Sequence, residues 1–309
     1  METLHTLLLS FLLALLSGLP QRGQAASCGP TGIWLQVLGS GGPEIDDLRA
    51  SSSYLVWMDG HARVLIDTGG GSAYNFERST ADFGDIRAIL FTHFHVDHSA
   101  DLSVYIKASY FTGRDTDLPI YGPNGNRLMP DTGAFVRALF DGRTGAFKYL
   151  GDFLTGGDGD SYRIVPHVLD TNRHVEQPGY QDERLRTTAV AVHHGPIPAL
   201  AWKLVFGDKR LVFSGDMSNR YDTLARLAKD ADVLVAHNAI PEGMGGVARA
   251  LHMPPSVIGA IAARARVKKL VLSHRMRRTL GKEAETSRYI RKHYLGPLFF
   301  ADDMDCIGL

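Results

Sequence analysis

Residues 92–98 read Thr92-His93-Phe94-His95-Val96-Asp97-His98, and they follow an apolar run at 86–91 that has the character of a buried strand. In extended chain His93 and His95 project to the same side. As the chain turns into the next helical stretch, Asp97 and His98 are presented beside them. Neutral imidazole and carboxylate are the donors that suit Zn²⁺ and related divalent ions. Without a metal, so many buried polar groups would each need another partner. The run therefore predicts a metal site where a strand ends.

Outward from this run, strands and helices alternate. Residues 33–38 predict a strand entering the turn Gly39-Ser40-Gly41-Gly42-Pro43, and 53–57 with 63–67 a hairpin across Asp59-Gly60. Further strands are expected at 86–92, 185–192, 199–206, 210–214, 233–236 and 269–273. Helices are expected at 99–110, 126–140, 221–228, 254–265 and 283–294, the fourth with prolines at its start. The Gly- and Asp-rich stretch 142–160 reads as loop. The stripe Phe135, Val136, Leu139 and Phe140 reads as core. Length alone would allow one domain or two among 309 residues, but no sequence repeat and no long linker divides the chain. One α/β domain with mixed sheets is expected.

With 44% hydrophobic and 21% charged residues, the chain can bury a sizeable core. Lys+Arg and Asp+Glu both number 33, and no polybasic block stands out, so bulk electrostatics suggests no nucleic-acid or anionic-membrane partner. Residues 7–16 form an apolar run shorter than the roughly 20 residues a bilayer span needs. Followed by small residues at Gly23-Gln24-Ala25-Ala26-Ser27, this run reads as a secretory leader, although Lys and Arg are absent before it. The expectation is a signal peptide at 1–26 and a folded domain at 27–309, exported to the periplasm or beyond, with no stable membrane anchor. In an oxidising compartment two cysteines near the mature ends should pair, which predicts a Cys28–Cys306 disulfide.

The segment HFHVDH resembles the signature of the metallo-β-lactamase superfamily, and further elements follow in the order that family expects. They are Val192-His193-His194-Gly195-Pro196, Phe213-Ser214-Gly215-Asp216 and Leu272-Ser273-His274-Arg275. The resemblance runs from about residue 33 to the C-terminus. It implies a four-layer αββα sandwich of two mixed sheets holding two divalent metal ions, zinc by family habit. By match to the motifs, His93, His95 and His194 would hold one ion and Asp97, His98 and His274 the other, with Asp216 bridging. His194 is chosen over the alternative His193 because the tRNase Z branch places its ligand just before the corresponding glycine.

Asp216 stands where the best-known β-lactamases have cysteine, which argues against β-lactam hydrolysis. Lactonases share the aspartate but use a shorter interval before the next histidine, so a lactonase or another promiscuous metallo-hydrolase stays an alternative. The run His194-Gly195…Ala199-Leu200-Ala201-Trp202-Lys203 is most similar to tRNase Z and its relatives, the zinc-dependent arylsulfatases and cyclic-nucleotide phosphodiesterases. Export and neutral charge argue against a tRNA maturase. The expectation is thus an exported hydrolase of small anionic sulfate or phosphate esters, with a small-molecule substrate and no nucleic-acid partner. It would use a metal-bridging hydroxide, with Asp97 orienting the nucleophile. His252, in Leu251-His252-Met253-Pro254, resembles the family's general-acid histidine, although Met253-Pro254 departs from the family's wording; a helix-entry histidine is the alternative reading. Asp67 resembles an early aspartate that orients metal-bound histidine. His237 ends a strand near the site by analogy and could equally be structural, while His61 and His167 read as surface or turn residues. A metal-binding protein without turnover is the alternative from outside the enzymes. Oligomeric state stays open.

Overall fold

Six consecutive residues, Ser53–Met58, are all buried, which a strand achieves only when both faces of its sheet are covered. The computed structural model describes residues 28–156 and 162–309, and the expected leader at 1–26 lies outside the described residues. In chain order the strands are β1 (Ile33–Gly39), β2 (Ser53–Met58), β3 (His61–Ile66), β4 (Ala88–Leu90), β5 (Leu118–Pro123), β6 (Ile164–Leu169) and β7 (Gln177–Gln181). They continue as β8 (Arg186–His194), β9 (Ile197–Phe206), β10 (Lys209–Phe213), β11 (Val233–His237), β12 (Lys269–Ser273), β13 (Leu298–Phe300) and β14 (Cys306–Gly308).

These strands build two seven-stranded sheets, ordered β14-β1-β2-β3-β4-β5-β6 and β13-β12-β11-β10-β9-β8-β7. The first has antiparallel pairs from β14 through β3 and parallel pairs from β3 to β6. The second repeats that plan, antiparallel from β7 through β10 and parallel from β10 to β13. The chain shows no sequence repeat, yet its topology is a near duplication.

Side-chain alternation makes the four layers. Tyr54 and Val56 point between the sheets with Leu35 and Val37, against Trp202, Leu204, Phe213 and Val235. Leu55 and Trp57 point the other way, with Leu65 and Ile89, onto Phe76, Tyr105 and Ile106 of the outer helices. Likewise Leu234 and Leu270 turn outward onto Ile258, Ile261 and Ile290. The αββα sandwich that the motif resemblance implied is the fold.

Several boundaries shift for local reasons. The strand expected at 86–92 shortens to Ala88–Leu90, because a one-turn helix at Phe83–Asp85 precedes it, with Asp82 accepting from the Gly84 amide. The helix expected from 126 starts at Thr132, where the Asp131 carboxylate caps it by accepting from the Ala134 amide. Pro130 just upstream disfavours a helical residue before it. Strands β5, β6 and β7 were not anticipated, and prolines at 119, 123, 166 and 178 interrupt their β-like pattern. The expected disulfide is present: Cys28 and Cys306 are bonded, with Cα atoms 5.7 Å apart. Its second cysteine opens β14, which pairs with β1. Among the described residues no helix is long and apolar enough to cross a membrane.

Candidate metal centre

The donor residues come from strand ends at one edge of the sandwich. His93, His95, Asp97 and His98 follow β4, His194 is the last residue of β8, Asp216 follows β10, and His274 follows β12. All are buried except His95, which is partly exposed. Three nearby backbone positions have left-handed torsions: Asp67 at φ 55°, Gly215 at 57° and His274 at 52°. For the two non-glycine residues this costs on the order of 1–3 kcal/mol each, which the surrounding packing must sustain. At Gly215 the turn requires glycine, because a Cβ there would also lie 2.9 Å from the Leu200 carbonyl oxygen.

The distances suit metal ligands. Zinc–nitrogen and zinc–oxygen bonds of about 2.0–2.2 Å at tetrahedral angles put ligand atoms roughly 3.3–3.6 Å apart. His194 Nε2 lies 3.3 Å from His95 Nδ1 and 3.6 Å from Asp216 Oδ2, while His93 Nε2 is 4.0 Å from that oxygen. These four residues offer donor atoms all within 4.8 Å of one another. On the other side, Asp97 Oδ2 is 3.2 Å from His274 Nε2 and 3.6 Å from His98 Nε2. Asp216 closes that group too, with Oδ2 3.8 Å from His98 Nε2 and Oδ1 3.5 Å from His274 Nε2. Two donor sets therefore share one carboxylate. The Nε2 atoms of His93 and His98 are buried without a hydrogen-bond partner, a costly arrangement that a divalent ion would relieve.

The tautomers follow from what stands behind each ring. His194 Nδ1 is 2.9 Å from the Leu251 carbonyl oxygen, which can only accept, so Nδ1 carries the proton and Nε2 is left with its lone pair. Asp67 does the same for His98, with Oδ2 2.8 Å from Nδ1. Asp67 is itself held by the Thr92 amide and hydroxyl, each 2.7 Å away. Such backing fixes the ligand's orientation and basicity.

Electrostatics prepares the carboxylates. Burial alone would raise the Asp216 carboxyl, but His274 and His252 nearby and a hydrogen bond from His237 outweigh it and hold it well below the usual carboxylate range. Burial likewise opposes ionisation of Asp97, and His98 and His274 overcome it, leaving it lowered. Burial pushes His93, His95 and His194 down, so they are neutral at pH 7, as ligation requires. His98 goes the other way. Burial opposes its charge, but Asp97 and Asp67 outweigh it and push it up to about 9.

All seven residues expected as ligands thus converge, and Asp67 sits where an orienting group should. His193, the alternative to His194, points elsewhere: its Nδ1 meets Ser218 Oγ at 2.7 Å. His252 is buried, its Nδ1 unpartnered and 3.8 Å from Asp216 Oδ2. Burial, the largest influence, lowers it to about 3. His61 is an exposed residue paired with Asp85 at 2.8 Å. His167 lies in β6, stacked on Tyr121 at 4.3 Å between ring centres.

The sequence undervalued His237. It too is grouped with His98, Asp216 and His274 by proximity of donor atoms. However, its Nδ1 lies 2.7 Å from Asp216 Oδ1, a hydrogen-bond length, and its Nε2 lies 3.0 Å from the Tyr54 hydroxyl. Both nitrogens are spent, so it anchors Asp216 while Asp97 is the better fourth donor. Its position at the end of a buried strand was the available signal. Tyr54, on the opposite sheet, had none.

Residues 62–275 match the family model described as a beta-lactamase superfamily domain. Among curated proteins, the chain is 27% identical over 281 residues to a ribonuclease Z of Methanosarcina acetivorans, covering 78% of this chain and 86% of that one. To a ribonuclease Z of Natronomonas pharaonis it is 25% identical over 308 residues, covering 88% and 96%. Human tRNase Z, short form, superposes with a TM-score of 0.67 at 20% identity over 89% of this chain and 98% of that one, which shows likeness of fold. These relatives overturn two expectations. A hydrolase of small anionic esters gives way, because curated proteins similar to this chain are named ribonuclease Z. The absence of a nucleic-acid partner, inferred from neutral charge, falls with it. Net charge is a sum over the whole surface and says little about the field at one edge, where metal ions and a few arginines would meet a phosphate.

Proposed function

The chain belongs to the beta-lactamase superfamily, and on that premise we propose that it is a zinc-dependent hydrolase of phosphodiester bonds in RNA. The observation that carries the reading is the pair of donor sets sharing Asp216, on a chain whose curated relatives are named ribonuclease Z. In this reading His93, His95 and His194 hold one zinc ion, Asp97, His98 and His274 hold a second, and Asp216 belongs to both. When bound, the ions supply Lewis acidity toward phosphoryl oxygens and lower the pKa of water.

The chain's own groups do the rest. Asp97, beside His274 in the second donor set, would also orient the attacking water through its carboxylate. His252 is the proton donor for the leaving ribose oxygen. Its burial keeps the ring neutral until the phosphodiester monoanion beside it favours the imidazolium, its proton taken up from solvent. Arg249, whose Nη1 donates to the Ser218 and His252 carbonyl oxygens, fixes the backbone that carries that ring.

The test uses zinc-loaded protein with a 3′-extended tRNA and with bis(p-nitrophenyl) phosphate. The RNA is expected to be cut, and Asp97→Ala to lower turnover of both substrates by about 10²-fold or more. RNA left intact by the wild-type protein would overturn the reading. We also propose that residues 1–26 are removed on export to the periplasm or beyond, supported by the apolar run at 7–16 and by the Cys28–Cys306 bridge. A mature protein that retains Met1 would exclude it.

A further inference from the structure

His193 and His194 are consecutive in β8, so their side chains face opposite sides of the strand. His194 reaches the donor cluster; His193 instead lines a separate cleft of about 370 Å³ together with Ser218, Asn219, Arg220 and Arg249. Each wall of this cleft is tied in sequence to the metal centre. His193 adjoins His194, Ser218 lies two residues past Asp216, and Arg249 three before His252. The cleft is basic. Among the described residues neither Arg220 nor Arg249 is ion-paired, and the nearby Asp222 is taken by Arg264. Beside it stands an aromatic platform. Tyr221, 36% exposed, stacks on His174 at 3.8 Å between ring centres and 24° between planes. The same ring meets His193 edge-on at 5.3 Å. The His174 backbone is held in place by Arg226, which donates to its carbonyl at 3.0 Å.

A guanidinium free of any ion pair, that of Arg220, beside a stacked aromatic pair supplies the two elements of single-stranded RNA recognition, one for phosphate and one for a base face. The geometry points to a nucleotide subsite here, resting on the ribonuclease reading: Arg220 and His193 take the phosphate of a nucleotide neighbouring the scissile bond, and Tyr221 with His174 stacks its base. Ser218 Oγ, 2.7 Å from His193 Nδ1, sets the imidazole's orientation toward the cleft. The surface so formed acts on binding of RNA and leaves the chemistry at the metal centre untouched, which makes it separable by experiment.

The test compares wild type, Arg220→Gln, Arg220→Lys and Tyr221→Ala, all zinc-loaded, on a single-stranded RNA and on bis(p-nitrophenyl) phosphate. Tyr221→Ala should raise the RNA KM by roughly 5- to 150-fold, the range for loss of one stacking contact. Arg220→Gln should lower the slope of log KM against log salt by about 1, and Arg220→Lys should restore it. Turnover of the small diester should be unchanged in all three. RNA KM and salt slope equal to wild type, in a protein that cuts RNA, would overturn the subsite alone, as would equal losses on both substrates, which mark damage to the metal centre. Wild-type protein that leaves RNA intact would overturn the ribonuclease reading and the subsite with it.

Discussion

The two halves of the sandwich follow one plan but use it in opposite senses. In each, an acid after the fourth strand of an antiparallel set meets an imidazole from the end of the next, parallel strand. In the first half this is Asp67 after β3 with His98 after β4, 2.8 Å apart; in the second, Asp216 after β10 with His237 of β11, 2.7 Å apart. The roles are inverted. Asp67 stands behind an imidazole whose other nitrogen faces the metal site, whereas His237 stands behind a carboxylate that faces it. A duplicated scaffold thus supplies one acid–histidine pair twice, with the member that faces the donor cluster exchanged. In the second half the backing histidine is itself held by the Tyr54 hydroxyl, 3.0 Å from its Nε2.

The inversion is open to attack. Asp216→Ala should remove a donor from both sets, and activity should fall by about 10³-fold or more, with metal content measured by mass spectrometry dropping below two ions per chain. Equal loss in Asp67→Ala would break the distinction between the two acids. The halves also differ at their outer edges, since β14 is bound covalently through Cys306 and β7, its counterpart, lies outside any disulfide. Reduction should cost roughly 2–5 kcal/mol of stability in denaturant titration. Activity of the folded protein should persist, because the bridge is remote from the donors. Next in size, Asp67→Ala and His237→Ala should each weaken metal affinity by about 10–100-fold. His98 should be mispositioned in the first variant and Asp216 in the second, a difference visible as loss of one ion against loss of two. The smallest effect expected is that of Tyr54→Phe, which orphans His237 Nε2 and should cost about 1–3 kcal/mol in thermal or chemical unfolding, with metal content intact.

The same asymmetry explains what could be read before the fold was known. The first half crowds four donors into His93–His98, and a dense cluster after a buried strand has few other meanings. In the second half His194, Asp216 and His274 are isolated residues at separate strand ends, 22 or more positions apart, and only resemblance to a family's motifs singled them out. His237 and Tyr54 are linked across two sheets by a single hydrogen bond, and no local pattern encodes such a contact. Strand prediction failed for a related reason. β5 and β6 are paired in parallel with their neighbours, and their prolines mask a β pattern that this pairing nevertheless realises. Substrate class was misjudged because charge was counted over the chain, while recognition depends on where a few groups stand.

One consequence of the Cys28–Cys306 bond is mechanical. Every proposed ligand and both sheets, save the last two residues of β14, lie within the 278-residue interval that it spans. Tension applied to the two ends of the chain therefore passes, beyond the short pairing of residues 307–309 with β1, through a sulfur–sulfur bond, so the edge that carries the donors is shielded from the load while the bridge is intact. Once it is reduced, β14 becomes the first element in the path of the force, and sheet one would peel from that edge.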